Sequence, residues 1–183
     1  MADATLLVTG GAGFTGRHLI EAANQKGYHC IAMVQHEVPE APAAFDTVVA
    51  DLLDPASLEH AILEVKPDYI VHLAAISFVA HGNTAEIYQV NQLGTVNLLE
   101  AIRKNAPEIK KVLIASSANI YGNTATLPIT ESVPPVPVNH YGMSKVTMEL
   151  ATRLYADLPI VLSRPFNYTG CGQSPNFLIP KIV

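Results

Sequence analysis

The sequence has few charged residues, few cysteines and no cluster of basic residues. Charged residues make up 15% of the 183 positions and hydrophobic residues 49%. That is enough apolar material for a sizeable core, and it argues against an intrinsically disordered chain. The net charge is −5, and Lys110-Lys111 is the densest point among 11 scattered basic residues. Nucleic-acid binding and anionic-membrane binding both need clustered Lys and Arg, so neither is expected.

The two cysteines are too few for a disulfide framework or a metal site, and no metal is predicted. Cys30 lies in an apolar run and is expected to be buried, whereas Cys171 lies in a glycine-flanked loop. The first residues, MADATLLVTGG, lack the basic and apolar regions of a signal peptide. The longest apolar runs are only as long as strands, so no transmembrane helix is expected. These features favour a reducing, cytoplasmic compartment.

Short apolar runs alternate with longer amphipathic stretches along the chain. Strands are predicted at 5–9, 30–34, 46–50, 69–75, 111–117 and 159–164, and helices at 15–26, 54–65, 84–105 and 140–156. Near-continuous apolar strands that alternate with helices are typical of a parallel sheet covered on both faces. Residues 1–183 are therefore predicted to form one α/β domain. FLIPKIV at 177–183 looks like the beginning of another element, so we expect a longer protein.

The first predicted strand runs directly into TGGAGFTG at 9–16, where Gly10, Gly13 and Gly16 are spaced three residues apart. Glycines let the backbone turn tightly and approach a pyrophosphate, and a helix N-terminus supplies free N–H groups and partial positive charge. At the first strand-to-helix junction of an alternating pattern, this motif predicts a dinucleotide site. The fold class is therefore a Rossmann-type, doubly wound parallel sheet with helices on both faces, and the predicted cofactor is NAD or NADP.

The sequence leaves the choice between NAD and NADP open. A carboxylate at the end of the second strand would hold the ribose hydroxyls of NAD, and an arginine would hold the 2′-phosphate of NADP. This strand ends in Gln35-His36, which supplies neither group. Asp51-Leu52, just after the third strand, is placed to contact the adenine.

Tyr141 and Lys145 are spaced i, i+4, so both project from one face of the predicted helix. An ammonium group near a phenol lowers its pKa, and such a tyrosine can exchange a proton with a substrate oxygen while hydride moves at the carbon. The pair alone is common by chance. Further polar residues strengthen it: Ser117 at the end of a strand, Asn91 in the middle of a helix, and Arg164-Pro165-Phe166-Asn167 after the last strand.

Together these residues resemble the extended short-chain dehydrogenase/reductase family, whose members modify nucleotide-activated sugars. The matching segments are TGGAGFTG (9–16), Asp51-Leu52, HLAA (72–75), NQLGTVNLLEA (91–101), SSANIYG (116–122), YGMSK (141–145) and RPFN (164–167). They span almost the whole chain in family order.

The resemblance implies roles for the matching residues. Tyr141 would be the acid/base, Lys145 would hold the ribose and tune Tyr141, and Ser117 would bind the substrate oxygen. Asn91 would support a water near Lys145, and Asn167 would contact the diphosphate of the sugar nucleotide. The expected cofactor contacts are Gly10, Gly13, Phe14, Thr15, Gly16, Gln35, His36, Asp51, Leu52, Leu73, Ala74, Ala75, Tyr141, Lys145, Pro165 and Phe166. The expected substrate contacts are Ser77, Ser117, Asn119 and Asn167. A homodimer through the helices at 84–105 and 140–156, and a carboxyl-terminal substrate region beyond this chain, are also implied.

The subclass rests on two short segments. The 4,6-dehydratases of the family carry an Asp-Glu pair after the catalytic Ser or Thr, whereas this chain has Ala118-Asn119, which counts against a dehydratase. RPFNYTGCGQSPNF (164–177) looks most like the corresponding segment of GDP-4-keto-6-deoxy-mannose reductases. The sequence therefore favours an NAD(P)H-dependent reductase of a 4-keto-6-deoxy nucleotide sugar, with a GDP-linked sugar as a candidate substrate. An NAD-dependent 4-epimerase is the alternative, and a 4,6-dehydratase or a non-catalytic dinucleotide sensor is less favoured.

Overall fold

The chain was described with a computed structural model that covers residues 4–37, 46–77, 82–175 and 177–182. Its strands are β1 (Thr5–Thr9), β2 (His29–Val34), β3 (Asp46–Val49), β4 (Tyr69–His72), β5 (Lys111–Ala115) and β6 (Ile160–Ser163). Its α-helices are α1 (Phe14–Asn24), α2 (Pro55–Val65), α3 (Thr84–Tyr88), α4 (Gly94–Asn105), α5 (His140–Thr152) and α6 (Leu178–Ile182). A π-helical turn (Gln89–Leu93) joins α3 to α4, and 3-10 turns occupy Ala118–Tyr121 and Arg153–Tyr155.

The six strands form one parallel sheet in the order β3-β2-β1-β4-β5-β6. The chain builds outward from β1 in one direction, then returns to the other side of β1 with β4. Ligands of such sheets bind outside the carboxyl ends of the strands where this reversal occurs. The crevice between the ends of β1 and β4 is therefore the place where the fold positions a site.

Alternate side chains of the strands pack into two separate hydrophobic clusters, as the period of two along a strand requires. Leu7 faces the larger cluster, which includes side chains from α2, α4 and α5. Leu6 and Val8 face the smaller cluster, which includes Ile20 and Ala23 of α1 and the buried Cys30. Helices thus cover both faces, and the predicted doubly wound α/β fold is confirmed.

β4 and β5 each end at least two residues earlier than predicted, at the carboxyl edge of the sheet. β4 ends at His72: Leu73 N still donates to the carbonyl of Thr9 at 3.2 Å, but Ala74 N donates to the Thr9 hydroxyl at 3.1 Å. β5 stops at Ala115, whose carbonyl accepts a hydrogen bond from the side chain of Lys145 at 2.8 Å. Side chains therefore replace the sheet's own hydrogen bonds where the predicted site lies.

The predicted helices are present, with changes at their boundaries. Asp54 caps α2 by accepting a hydrogen bond from Ala56 N at 3.0 Å, and Pro55 is the first helical residue, as predicted. The predicted helix at 84–105 is interrupted by the π-helical turn, and the one at 140–156 ends as a 3-10 turn. Within the described residues, no helix combines the length and the hydrophobicity that crossing a membrane requires.

Candidate active site

The glycine turn between β1 and α1 packs so closely that side chains are excluded. Gly10 has φ +68°, and a Cβ there would lie 2.9 Å from Ala74 N. A Cβ on Gly16 would lie 2.4 Å from Gly10 O. Gly13 is exposed, directly precedes α1 and adds no side-chain cap to it. The first turn of α1 therefore opens at the crevice with the geometry that suits a pyrophosphate.

The residues expected to hold the adenosine half lie at the ends of β2 and β3. Gln35 and His36 are exposed, and Gln35 Nε2 donates to Asp51 Oδ2 at 3.2 Å. The other carboxylate oxygen of Asp51 accepts a hydrogen bond from Leu53 N at 2.8 Å. The side chain of Leu52 belongs to the larger core cluster and packs against Gly94. Any contact of Leu52 with the adenine is therefore limited to its main chain.

The predicted pair of Tyr141 and Lys145 is buried on α5, with 8% and 4% of each residue exposed. Asn139 caps this helix by accepting a hydrogen bond from Gly142 N at 2.7 Å. A Cβ on Gly142 would lie 2.7 Å from Asn119 O. The glycine inside YGMSK therefore lets α5 approach the turn after β5, which brings Tyr141 beside Ser117.

Ser117 lies close enough to the Tyr141 phenol to lower its pKa. It is extended and caps the 3-10 turn, and its Oγ accepts hydrogen bonds from Asn119 N at 3.1 Å and from Asn119 Nδ2 at 3.2 Å. Since these contacts use its lone pairs, the Ser117 hydroxyl proton remains available for donation. Asn119, expected to contact substrate, here orients Ser117.

The electrostatics of Tyr141 differ from the sequence-based prediction. Burial raises the pKa of Tyr141, hydrogen bonding by Ser117 lowers it, and the nearby Tyr168 raises it. Burial also lowers the pKa of Lys145 to about 8, against a smaller opposing effect of Glu149. Lys145 Nζ donates to Ala115 O at 2.8 Å. The pKa of Tyr141 is therefore raised overall, whereas the sequence predicts that Lys145 lowers it.

Asn91 lies in the π-helical turn and is almost fully buried. Its Oδ1 accepts from Ile76 N at 2.8 Å, and its Nδ2 donates to Ile76 O at 3.0 Å and to Ser144 Oγ at 3.1 Å. Ser144 Oγ donates in turn to Tyr141 O at 2.7 Å. Both amide hydrogens thus have protein acceptors, so the side chain joins the segment after β4 to α5, and the support of a water by Asn91 stays a prediction.

A second buried chain of hydrogen bonds starts at His72, a residue whose role the sequence did not reveal. Thr9 Oγ1 lies 2.6 Å from His72 Nδ1, and His72 Nε2 lies 2.9 Å from Thr95 Oγ1. Thr95 donates its proton to Asn91 O at 2.8 Å, so it must accept from His72 Nε2–H, and Thr9 must donate to Nδ1. Burial, aided by the charge of Lys145, lowers the pKa of His72 to about 3. His72 is therefore a neutral link between β1, β4 and the π-helical turn.

Arg164 follows β6 and forms the most buried ion pair among the described residues. It donates to both carboxylate oxygens of Glu149, at 2.9 and 2.7 Å, and to the hydroxyl of Tyr121 at 2.9 Å. The Glu149 carboxylate raises the pKa of Arg164 further above its usual range. The pair fixes the end of β6 to α5 and to the turn that holds Ser117, so the arginine of RPFN is a positioning residue.

The remaining predicted residues lie around the same edge of the sheet. Leu73, Ala74 and Ala75 are half-buried beside the glycine turn, and Pro165 accepts a hydrogen bond from Ala118 N at 2.9 Å. Phe14 and Thr15 contact Tyr168, a residue that sequence reasoning missed. Of the predicted site residues around this edge, Ser77, Phe166 and Asn167 are exposed. In the described part of the chain, no group of three or more His, Cys, Asp or Glu residues could hold a metal ion.

Comparison with known proteins places this chain in one family. Residues 6–183 match the NAD dependent epimerase/dehydratase family. GDP-6-deoxy-D-talose 4-dehydrogenase of Aggregatibacter actinomycetemcomitans is 41% identical over 179 residues, covering 97% of this chain and 58% of that protein. GDP-6-deoxy-D-mannose reductase of Pseudomonas aeruginosa is 35% identical over 181 residues, covering 95% of this chain and 55% of that protein. The crystal structure of UDP-glucose 4-epimerase from Brucella ovis in complex with NAD matches with a TM-score of 0.83 at 32% identity. The match covers 90% of this chain and 52% of that one.

The chain belongs to the NAD-dependent epimerase/dehydratase family. The predicted membership of the extended short-chain dehydrogenases/reductases is thereby confirmed, as is the prediction of an enzyme family that uses a nicotinamide dinucleotide. These relatives modify GDP- and UDP-linked sugars. The chain spans between 52% and 58% of the length of the three proteins compared here.

Proposed function

We propose that this chain is the cofactor-binding and catalytic part of an enzyme that interconverts a 4-hydroxyl and a 4-keto group on a GDP-linked 6-deoxy sugar. The placement of buried Ser117, Tyr141 and Lys145 together at the carboxyl edge of the sheet, with Gly142 of α5 close against Asn119, carries this proposal. Similarity to a GDP-6-deoxy-talose 4-dehydrogenase and a GDP-6-deoxy-mannose reductase supports the substrate class. Those two names describe oxidation and reduction at the sugar, and one site serves both directions.

The glycine turn and the first turn of α1 would hold the diphosphate of the cofactor, and Asp51 would lie near its adenosine half. A nicotinamide dinucleotide supplies the hydride donor or acceptor when it is bound. At the end of β2, Gln35 and His36 supply neither the carboxylate that would select NAD nor the arginine that would select NADP. The proposed cofactor is therefore NAD or NADP.

Tyr141 would act as the acid when the sugar ketone is reduced. Because burial raises its pKa, the phenol keeps its proton at neutral pH and can give it to the developing alkoxide. The Ser117 hydroxyl would donate a second hydrogen bond to the same sugar oxygen. Lys145 would stabilise the phenolate that remains, since an ammonium with a pKa of about 8 is largely charged at neutral pH.

A 4-epimerase is the second candidate, and the similarity to UDP-glucose 4-epimerases is the observation that favours it. An epimerase returns the hydride to the sugar and consumes no cofactor, whereas a reductase oxidises one equivalent per turnover. A dehydratase is disfavoured because Ala118-Asn119 stands where the 4,6-dehydratases have an Asp-Glu pair. Asn119 carries no carboxyl group, and its amide donates to Ser117. A non-catalytic sensor would have no need of Ser117, Tyr141 and Lys145 together.

The experiment is to supply the full-length protein with GDP-4-keto-6-deoxy-mannose and either NADH or NADPH, and to follow absorbance of the reduced nicotinamide. We expect stoichiometric cofactor oxidation, and a loss of about 10²-fold or more in kcat on Tyr141→Phe. Tyr28→Phe, at an exposed tyrosine before β2, is the matched control and should leave turnover unchanged. Absence of cofactor oxidation in the unaltered protein, or full activity of Tyr141→Phe, contradicts the proposal.

A homodimer through α4 and α5 and a cytoplasmic location remain part of the proposal. The exposed apolar side chains Leu93, Leu150 and Leu154 lie next to or within these helices and support such an interface. Sedimentation of the full-length protein tests the dimer. Leu154→Glu should shift the protein towards monomers, because 77% of this residue is exposed and a charge there would be buried on association.

A further inference from the structure

The amide of Gln35 and the carboxylate of Asp51 form a pair at the carboxyl edge of the sheet, where β2 and β3 end. The two strands are neighbours, with Val34 paired to Val49, and the ladder continues through a hydrogen bond from Ala50 N to Val34 O at 2.9 Å. The residues that follow the strands therefore meet, and Gln35 Nε2 donates to Asp51 Oδ2 at 3.2 Å. In sheets of this topology, the adenosine half of a dinucleotide binds at this edge.

The surroundings of Asp51 decide which way the Gln35 amide faces. Asp51 Oδ1 accepts a hydrogen bond from Leu53 N at 2.8 Å, and Asp51 N donates to Ser57 Oγ at 3.1 Å, so the carboxylate is held by its own turn. A carboxylate offers acceptors only, so Gln35 has to present its NH2 group to Asp51 Oδ2. The amide oxygen, Gln35 Oε1, therefore faces away from Asp51. Gln35 is exposed, so its amide is accessible to a ligand.

The charge of this part of the chain is almost entirely negative. Between Lys26 and Lys66 the sequence contains no lysine or arginine, and this stretch includes β2, β3 and the turns that follow them. The same stretch contains Asp51 and six other Asp or Glu residues. A phosphate group on the adenosine ribose adds about two negative charges at neutral pH. It would meet the Asp51 carboxylate without a lysine or arginine from either strand to balance it.

Two other side chains could offer positive charge to such a phosphate. Arg17 belongs to α1, and its Nε donates to Ala12 O at 2.8 Å, which holds its guanidinium at the glycine turn. His36 is exposed and directly follows Gln35. Within the described residues, no hydrogen bond joins either side chain to the pair of Gln35 and Asp51. Arg17 and His36 are therefore separate alternatives that an experiment can distinguish from the pair.

We propose that Gln35, oriented by Asp51, selects NAD over NADP. Gln35 Oε1 accepts a hydrogen bond from the 2′-hydroxyl of the adenosine ribose, which is the role of a carboxylate at the end of the second strand in NAD sites. A largely ionised 2′-phosphate can only accept hydrogen bonds, so it loses this contact and is repelled by Asp51. The inference rests on the proposed function only in taking the crevice as the dinucleotide site.

The test is a titration of the full-length protein with NADH and with NADPH, with the fluorescence of the reduced nicotinamide as the signal. We expect a Kd for NADPH at least about tenfold above that for NADH, because a lost hydrogen bond and a like-charge contact act together. Gln35→Arg should lower the ratio of the two Kd values by about tenfold or more, because a guanidinium binds phosphate through two hydrogen bonds.

Two further variants separate the pair from general charge effects. Asp51→Asn should lower the Kd ratio by about threefold or more, because it removes the repulsion and lets the Gln35 amide turn over. Gln25→Arg is the matched control, since it makes the same substitution at an exposed glutamine at the far end of α1. It adds the same charge to the protein and should leave the Kd ratio unchanged.

Equal Kd values for the two dinucleotides, or tighter binding of NADPH, would overturn the inference. An unchanged Kd ratio in Gln35→Arg would also overturn it. If Arg17→Gln or His36→Asn weakens NADPH binding alone in a protein that binds both dinucleotides equally, that residue holds the phosphate and the pair does not select. If the unaltered protein binds neither dinucleotide, the proposed function fails instead, so the two failures are distinguishable.

Discussion

Replacing His72 with glutamine tests how strongly the buried hydrogen-bond chain makes stability depend on pH. Only 2% of His72 is exposed, and its pKa falls from 6.5 to about 3 on folding. The unfolded chain therefore binds one more proton than the folded chain between these values. Stability from this residue is fully present above pH 6.5 and is lost as the pH falls towards 3.

The size of the effect follows from the pKa difference. A difference of about 3.5 units, at about 1.4 kcal/mol per unit, corresponds to about 5 kcal/mol when the titration is complete. That is comparable with the whole stability of a typical domain, which is about 5–15 kcal/mol. Protonation of His72 should therefore destabilise the fold in acid.

His72→Gln removes the titration and retains the means to make both hydrogen bonds. A glutamine oxygen can accept from Thr9, and its amide can donate to Thr95. We expect urea denaturation between about pH 4 and 6 to show that the unaltered protein loses about 1.4 kcal/mol per pH unit more than the variant. His60→Gln, on the exposed face of α2, is the matched control and should keep the steep dependence. Parallel curves for the unaltered protein and His72→Gln would refute the reasoning.

Two further predictions concern the cofactor turn and the buried ion pair. Gly16→Ala should weaken dinucleotide binding at least tenfold in a fluorescence titration, because its Cβ would lie 2.4 Å from Gly10 O, whereas Gly82→Ala meets nothing within 4 Å and should bind normally. Arg164→Met should cost about 3 kcal/mol in urea denaturation, because Glu149 would keep a buried charge without its partner. A loss below about 1 kcal/mol would mean that Glu149 finds water or another donor.

The sequence predicts those features that depend on local pattern. Apolar runs of strand length, the glycine spacing at 9–16 and the cap at Asp54 each produce their element through neighbouring residues, and the structure agrees with them. The spacing of Tyr141 and Lys145 likewise predicts one helix face, and both lie buried on α5.

The features that escaped prediction depend on contacts between distant residues. His72 is a polar residue inside an apolar strand, which is a signal, but its partners are 63 and 23 residues away in the chain. Tyr168 contacts Thr15 across 153 residues. The raised pKa of Tyr141 results from burial, which no i, i+4 spacing reports. Sequence spacing predicts the candidate reacting groups, whereas the shifts in their pKa values follow only from the fold.

The π-helical turn at 89–93 lets one continuous helical segment carry both a buried hydrogen-bonding amide and an apolar face. Each additional residue in a helix rotates everything beyond it by about 100°. The turn lets Asn91 reach Ile76 and Ser144 while Leu98 and Ile102, further along, still face the core. Deleting any one residue of 89–93 would straighten the helix and misdirect either the amide or the apolar stripe. The residue spacing along this helical segment thus keeps the hydrogen bonds of Asn91 compatible with the packing of Leu98 and Ile102.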